Sequence, residues 1–215
     1  MEKYHPIILI LVLLSTACMQ ENPETMTDMV KTPADCGKIE DIESRERCLM
    51  NMAIENMEPK LCDEIQYTPY RTACLQNTAK KLKNPGICEK IEDKSQRNNC
   101  ITSIAQETCD PLFCEKINQT NERDNCFTLT AYRQRNITTC NEIENSYKRD
   151  GCRLEVAKTL GDYLLCDRIQ KKNLWDECTL HIAIETMNPK VCDRFTIVYK
   201  KQDCLGAIKR AQQGD

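Results

Sequence analysis

Apolar residues and cysteines return along this chain at a fixed interval of 26 residues. Cys36, Cys62, Cys88, Cys114, Cys140 and Cys166 are each followed three residues later by an isoleucine (Ile39, Ile65, Ile91, Ile117, Ile143, Ile169), and Cys192 by Phe195. Twelve residues after each first cysteine stands a second: Cys48, Cys74, Cys100, Cys126, Cys152, Cys178 and Cys204. Five residues further on, alanine recurs at 53, 79, 105, 131, 157 and 183. Seven copies in one register mark a repeat array, in which one supersecondary unit stacks on the next.

Each unit predicts two helices. Proline stands three residues before the first cysteine at Pro33, Pro59, Pro85, Pro111 and Pro189, preceded by Thr32, Glu58, Asn84, Asp110 and Asn188. Four of these five pairs join a good N-cap to proline at the first helical position. A first helix of about eight residues therefore runs from the proline through the cysteine and the isoleucine. A second start falls at Thr68-Pro69, with Ser95, Asn121 and Asn173 close to the same place in other units. From there Arg71, Cys74, Leu75, Thr78, Ala79 and Leu82 line one face of a helix of about fourteen residues. The fold class is all-α: a solenoid of seven αα-hairpins at 32–57, 58–83, 84–109, 110–135, 136–161, 162–187 and 188–213.

The hairpin dictates the cysteine pairing. The first cysteine lies about four residues before its helix ends and the second about five after the next begins, so the two face each other. Pairing Cys48 with Cys62 instead leaves an axial mismatch of roughly 7 Å, more than a disulfide spans. The predicted bridges are Cys36–Cys48, Cys62–Cys74, Cys88–Cys100, Cys114–Cys126, Cys140–Cys152, Cys166–Cys178 and Cys192–Cys204. A hairpin with so few large apolar residues needs the staple.

Sixteen cysteines in 215 residues point to an oxidising compartment and hence an exported protein. The apolar run Ile7–Leu14 is too short to span a bilayer and suits a signal-peptide core at 1–17. The following Ser15-Thr16-Ala17-Cys18 resembles the lipobox of prokaryotic lipoproteins, with Ser15 where leucine is usual. The resemblance implies lipidation of Cys18 and an anchor on the outer face of the cell membrane, or the periplasmic face where the host has an outer membrane. The other reading is ordinary cleavage after Ala17. Residues 18–31 have no apolar period and read as a flexible tether. The implied host is prokaryotic, archaea included.

The remaining chemistry is sparse. A net charge of −3 without a basic stripe argues against nucleic acid. No close cysteine pair of the zinc, iron–sulfur or haem type occurs, so no metal or cofactor is expected. His181 is the one histidine beyond the signal segment and reads as a surface residue, which makes an enzyme the less favoured class. The rival reading, an extracytoplasmic enzyme or thiol oxidoreductase, has only His181 or Cys109 to work with. Arg45, Arg71, Arg97, Arg123 and Arg149 recur three residues before the second cysteine, suited to capping first-helix carbonyls, forming ion pairs or binding an anion. Asp63, Glu89, Glu115, Asp167 and Asp193 recur beside the first cysteine, and ion pairing with those arginines is the expected role.

Trp175 replaces the arginine in unit six. It is either a contact spot or a residue packed on the terminal unit. Asn118 and Asn136 open glycosylation sequons. Cys109 alone among cysteines after the tether falls outside the pattern. With Cys18 lipidated it has no partner in the chain and is a free thiol or a bridge to a second molecule; with Cys18 unmodified the two can bridge. The architecture is loosely similar to disulfide-bridged helical-repeat proteins of the Sel1-like kind, whose repeats are longer. The expected function is a non-enzymatic scaffold that binds a protein or peptide.

Overall fold

The computed structural model describes residues 32–213; the expected signal peptide, Cys18 and the tether lie outside the described residues. The described chain is an all-α repeat solenoid of seven units, each a short helix followed by a long one. The short helices are Pro33–Cys36, Pro59–Glu64, Pro85–Lys90, Pro111–Lys116, Ile137–Glu142, Tyr163–Arg168 and Pro189–Cys192. The long helices are Ile42–Glu55, Thr68–Lys81, Lys94–Thr108, Thr120–Gln134, Ser146–Leu160, Lys172–Glu185 and Val198–Gln213. Short helices of the inner units pack on the long helix of their own unit and on that of the unit before, while successive long helices lie side by side.

The short helices differ from the expected eight-residue α-helix. In units two to six they are six-residue 3₁₀ helices that end before the isoleucine. Six residues at about 2.0 Å rise cover the same ~12 Å as eight at 1.5 Å, so the register of the cysteine is kept. The isoleucine is then extended: Ile65 has φ −77° and ψ 122°, which turns a completely buried side chain into the core. Its carbonyl, released from the helix, accepts from Arg71 Nε at 2.9 Å, and Arg97 Nε donates to Ile91 at 2.8 Å.

All seven pairs of cysteines twelve residues apart are bonded, with Cα separations of 5.6–5.8 Å. The recurring alanines are completely buried. Their carbonyls also close the long helices: the backbone N–H of Glu58, Asn84, Asp110, Asn136, Asp162 and Asn188 donates back to Ala53, Ala79, Ala105, Ala131, Ala157 and Ala183. This six-to-one closure needs a left-handed residue just before the donor. That residue is Met57, Lys83, Cys109, Arg135, Gly161 and Met187, all with φ between +49° and +64°. Only once does the chain use glycine there.

One apolar cluster runs from Cys36 to Val156, and two smaller clusters continue through units six and seven. The break follows a change of residue type. Just after the second cysteine, units one to four bury Leu49, Leu75, Ile101 and Phe127, whereas units five and six have Arg153 and Thr179. Arg153 is held by Asp150 at 3.0 Å, the Arg168 carbonyl at 2.7 Å and Asn141 at 2.8 Å.

Unit one is built as an end. Where inner units bury Leu61 or Ile87, it has Asp35, whose carboxylate accepts from the Thr32 backbone N–H (3.0 Å) and hydroxyl (2.7 Å) and pairs with Lys38. Lys38 and then Thr32 hold this carboxyl below the ordinary carboxylate range.

The left-handed position gives a direct test. A Cβ at Gly161 meets only Thr186 Cγ2, at 3.9 Å. Gly161→Ala is therefore expected to cost about 1–2 kcal/mol of backbone strain and nothing in packing. Urea unfolding of the oxidised protein measures it, and an unchanged midpoint contradicts the assigned closure.

Candidate functional site

A row of buried polar groups joins the units. Two residues before the second cysteine stand Glu46, Asn98, Asp124 and Asp150, each at most 6 % exposed. Glu46 accepts from the backbone N–H of Gln66 (2.9 Å) and Tyr67 (3.2 Å) in the next unit. Asp124 accepts from Glu144 (3.0 Å) and Asn145 (3.3 Å), and Asp150 from Gln170 (2.9 Å) and Lys171 (2.8 Å). Asn98 donates to Gln119 Oε1 at 2.9 Å. The donating N–H groups lie at the start of the neighbour's long helix, where helix geometry leaves donors unpaired and favours negative charge. Tyr67 and Lys171 are N-caps whose own side chains make no cap bond. Their units import one. This row is structural glue.

Asp176 continues the row in unit six and binds Lys200 and, at 2.9 Å, Lys172. Burial alone raises its pKa; the hydrogen bonds from Lys200 and Lys172 outweigh burial and hold the carboxyl below its ordinary range.

The recurring acids beside the first cysteine do not chiefly pair with the recurring arginines. Asp63 pairs with Lys90 at 2.6 Å, Glu89 with Lys116 at 4.0 Å, and Asp167 with Arg194, each a cation beside the next unit's first cysteine. Only Asp193 meets the arginine position, occupied there by Lys201, at 2.8 Å. Arg71 and Arg97 are committed to carbonyls of their own units and Arg123 pairs with Glu144, while the lysines lie within reach of the acids. Exposed pairs of this kind contribute little to stability.

Trp175 lies half-buried at the junction of units six and seven. Its ring meets Phe195 edge-on with centroids 5.6 Å apart, and Lys172 Nζ lies 3.7 Å from its centroid. Arg194 lies over both Tyr163 (5.2 Å) and Trp175 (5.8 Å). Arg194 also donates to the Tyr163 carbonyl at 3.2 Å, so unit seven clamps the short helix of unit six. His181 sits half-buried on its long helix, and Cys178 nearby is bonded to Cys166. Among the described residues no group of three or more His, Cys, Asp or Glu side chains is placed to hold a metal ion.

The two sequons differ. Asn136 caps the short helix of unit five, its Oδ1 accepting from the Thr138 N–H (3.0 Å) and hydroxyl (2.7 Å). Asn118 stands exposed in the connection between the two helices of unit four.

Cys109 corrects an expectation. It is disulfide-bonded, so it is not a thiol unpaired within the chain. The fourteen pattern cysteines are bonded to one another, and its partner lies outside the described residues. The expectation rested on lipidation consuming the one remaining sulfur, since a thioether and a disulfide exclude each other.

Among the described residues a concavity lies on the long helices of units two to four. A cavity of about 400 Å³ is lined by Lys80, Ser103, Gln106, Glu107 and Arg133. A second of about 250 Å³ shares Lys80 and Ser103 and adds Gln76, Asn77 and Asn99. Sequence reading missed it because its residues do not repeat in type.

The fold and this surface define a disulfide-stapled helical-repeat protein. Comparison with family models, curated proteins and solved structures gives no match to this chain. Seven disulfides fit an oxidising, extracytoplasmic environment. No helix among the described residues is long and apolar enough to cross a membrane.

Two measurements check the inter-unit row. Asp124→Ala leaves the backbone N–H groups of Glu144 and Asn145 without their buried, charged acceptor and is expected to cost about 1–3 kcal/mol, read from denaturant unfolding; a cost near zero removes the row from the account. Acid titration checks Asp176. A lowered folded pKa means its contribution is complete above the unfolded value of about 4 and is lost as pH falls through the folded one. Asp176→Asn should flatten that part of the melting-temperature profile, and curves of the same steepness contradict the assignment.

Proposed function

We propose that this protein is a non-enzymatic, exported helical-repeat scaffold that binds a protein or peptide partner along its array. The observation that carries the reading is that every described helix belongs to the repeat, and a concavity runs along the surface of units two to four. Extended ligands suit such a surface, because each unit adds one increment of contact. The polar groups with perturbed pKa values sit in ion pairs or caps that hold the fold, which favours binding over catalysis.

A lipid anchor is the separable alternative. A sulfur that carries a diacylglyceryl group cannot share in a disulfide, so the lipidated chain and a chain bridged from Cys18 are different molecules. Metabolic labelling with a fatty acid compares wild type with Cys18→Ser. With Cys109 disulfide-bonded, an unlabelled wild type is the expected result. Label on the wild type that is lost in Cys18→Ser restores the anchor and contradicts the bond at Cys109. Cross-linking at the cell surface followed by mass spectrometry tests the binding itself. Recovery of one protein partner at the helical array is expected, and turnover of a small-molecule substrate by the purified chain contradicts the reading.

A further inference from the structure

We infer that the groove on the long helices of units two to four binds an extended peptide segment carrying an acidic side chain next to a large apolar one. This rests on the scaffold reading above and names the site and ligand class. Asn77, Asn99, Ser103 and Gln106 line the groove on three turns of two neighbouring helices. None of these side chains makes a hydrogen bond among the described residues, whereas some polar side chains elsewhere on the array are tied down. Gln134, for example, reaches the Cys109 carbonyl and Thr139, and Lys148 reaches Asn121 and Asn125. A primary amide offers a donor and an acceptor together, which matches the two groups of a peptide bond.

Spacing agrees with a main chain lying across the helices. Long helices pack about 8–10 Å apart, and an extended chain advances about 3.3 Å per residue. Three residues then fill one unit, and about nine cross units two to four.

Charge and apolar area choose the ligand's side chains. Lys80 is already paired with Glu107 at 3.4 Å, while Arg133 has no ion pair among the described residues. The free guanidinium asks for a carboxylate. Leu129, 44 % exposed, and Tyr132, 53 % exposed, stand beside Arg133 on the same helix, with Leu129 four residues before it on the same face. They offer an apolar seat next to the charge. The site also has an end: in units five and six the same surface is filled by Lys158 with Glu177 (2.7 Å) and Glu155 (3.4 Å).

The test is selection of phage-displayed random nine-residue peptides on the oxidised full chain, followed by fluorescence anisotropy on synthetic copies. Enriched peptides should carry Asp or Glu beside Leu, Phe or Tyr. Arg133→Glu and the double variant Asn77→Ala/Asn99→Ala should each weaken binding about tenfold or more, and Glu177→Ala should leave it unchanged. These exposed substitutions are checked for an unaltered circular dichroism melt. Peptides that bind all variants equally overturn the groove and leave the scaffold reading standing. No enrichment at all overturns both. Capture of oligosaccharides on a glycan array, with no peptide enriched, overturns the peptide class.

Discussion

The disulfide between two helices of one unit is the constraint on which the rest depends. In the inner units each short helix and the isoleucine after it bury only that isoleucine, a cysteine and about one further apolar residue, too little to hold a hairpin in water. Closing a loop of this length contributes on the order of 3 kcal/mol in the chain-entropy model. With the staple in place the isoleucine turns inward, the arginine reaches its carbonyl, and the long helix is oriented for its neighbour. The staple fixes a unit; it does not join units.

Joining is left to two other devices. The buried alanine lets the helices approach, and its carbonyl locks the start of the next unit through the left-handed closure. Glu46, Asp124 and Asp150 then reach across to cap the neighbour's long helix. Stability of such an array is a sum of units and interfaces, and here the two terms use different chemistry: covalent within units, hydrogen-bonded and apolar between them. That division leaves the solvent face of the long helices free of structural duty, which is where Asn77, Asn99 and Arg133 vary.

The period, the bridges and the long helices were legible because they rest on residue types that recur in one register. The 3₁₀ geometry was not legible, because six tight residues and eight α residues span the same length between the same markers. The inter-unit caps escaped for another reason: their position carries Glu46, Asn98, Asp124, Asp150 and Asp176, united by hydrogen bonding and not by identity, while unit two has Thr72 there with no such bond among the described residues. The left-handed residues were hidden likewise, since Met57, Lys83, Arg135 and Met187 stand where glycine would have announced the turn. The groove escaped because binding surfaces on repeats are made by the positions that differ. At Cys109 the reading failed because a cysteine outside the repeat has no register from which to read its partner.

The central claim is that the twelve-residue bridges define the unit. Digestion of the unreduced protein followed by mass spectrometry of linked peptides tests it most directly. Seven linked peptides joining each first cysteine to the second cysteine of its own unit are predicted. Links of the Cys48–Cys62 kind, between the long helix of one unit and the short helix of the next, would contradict it.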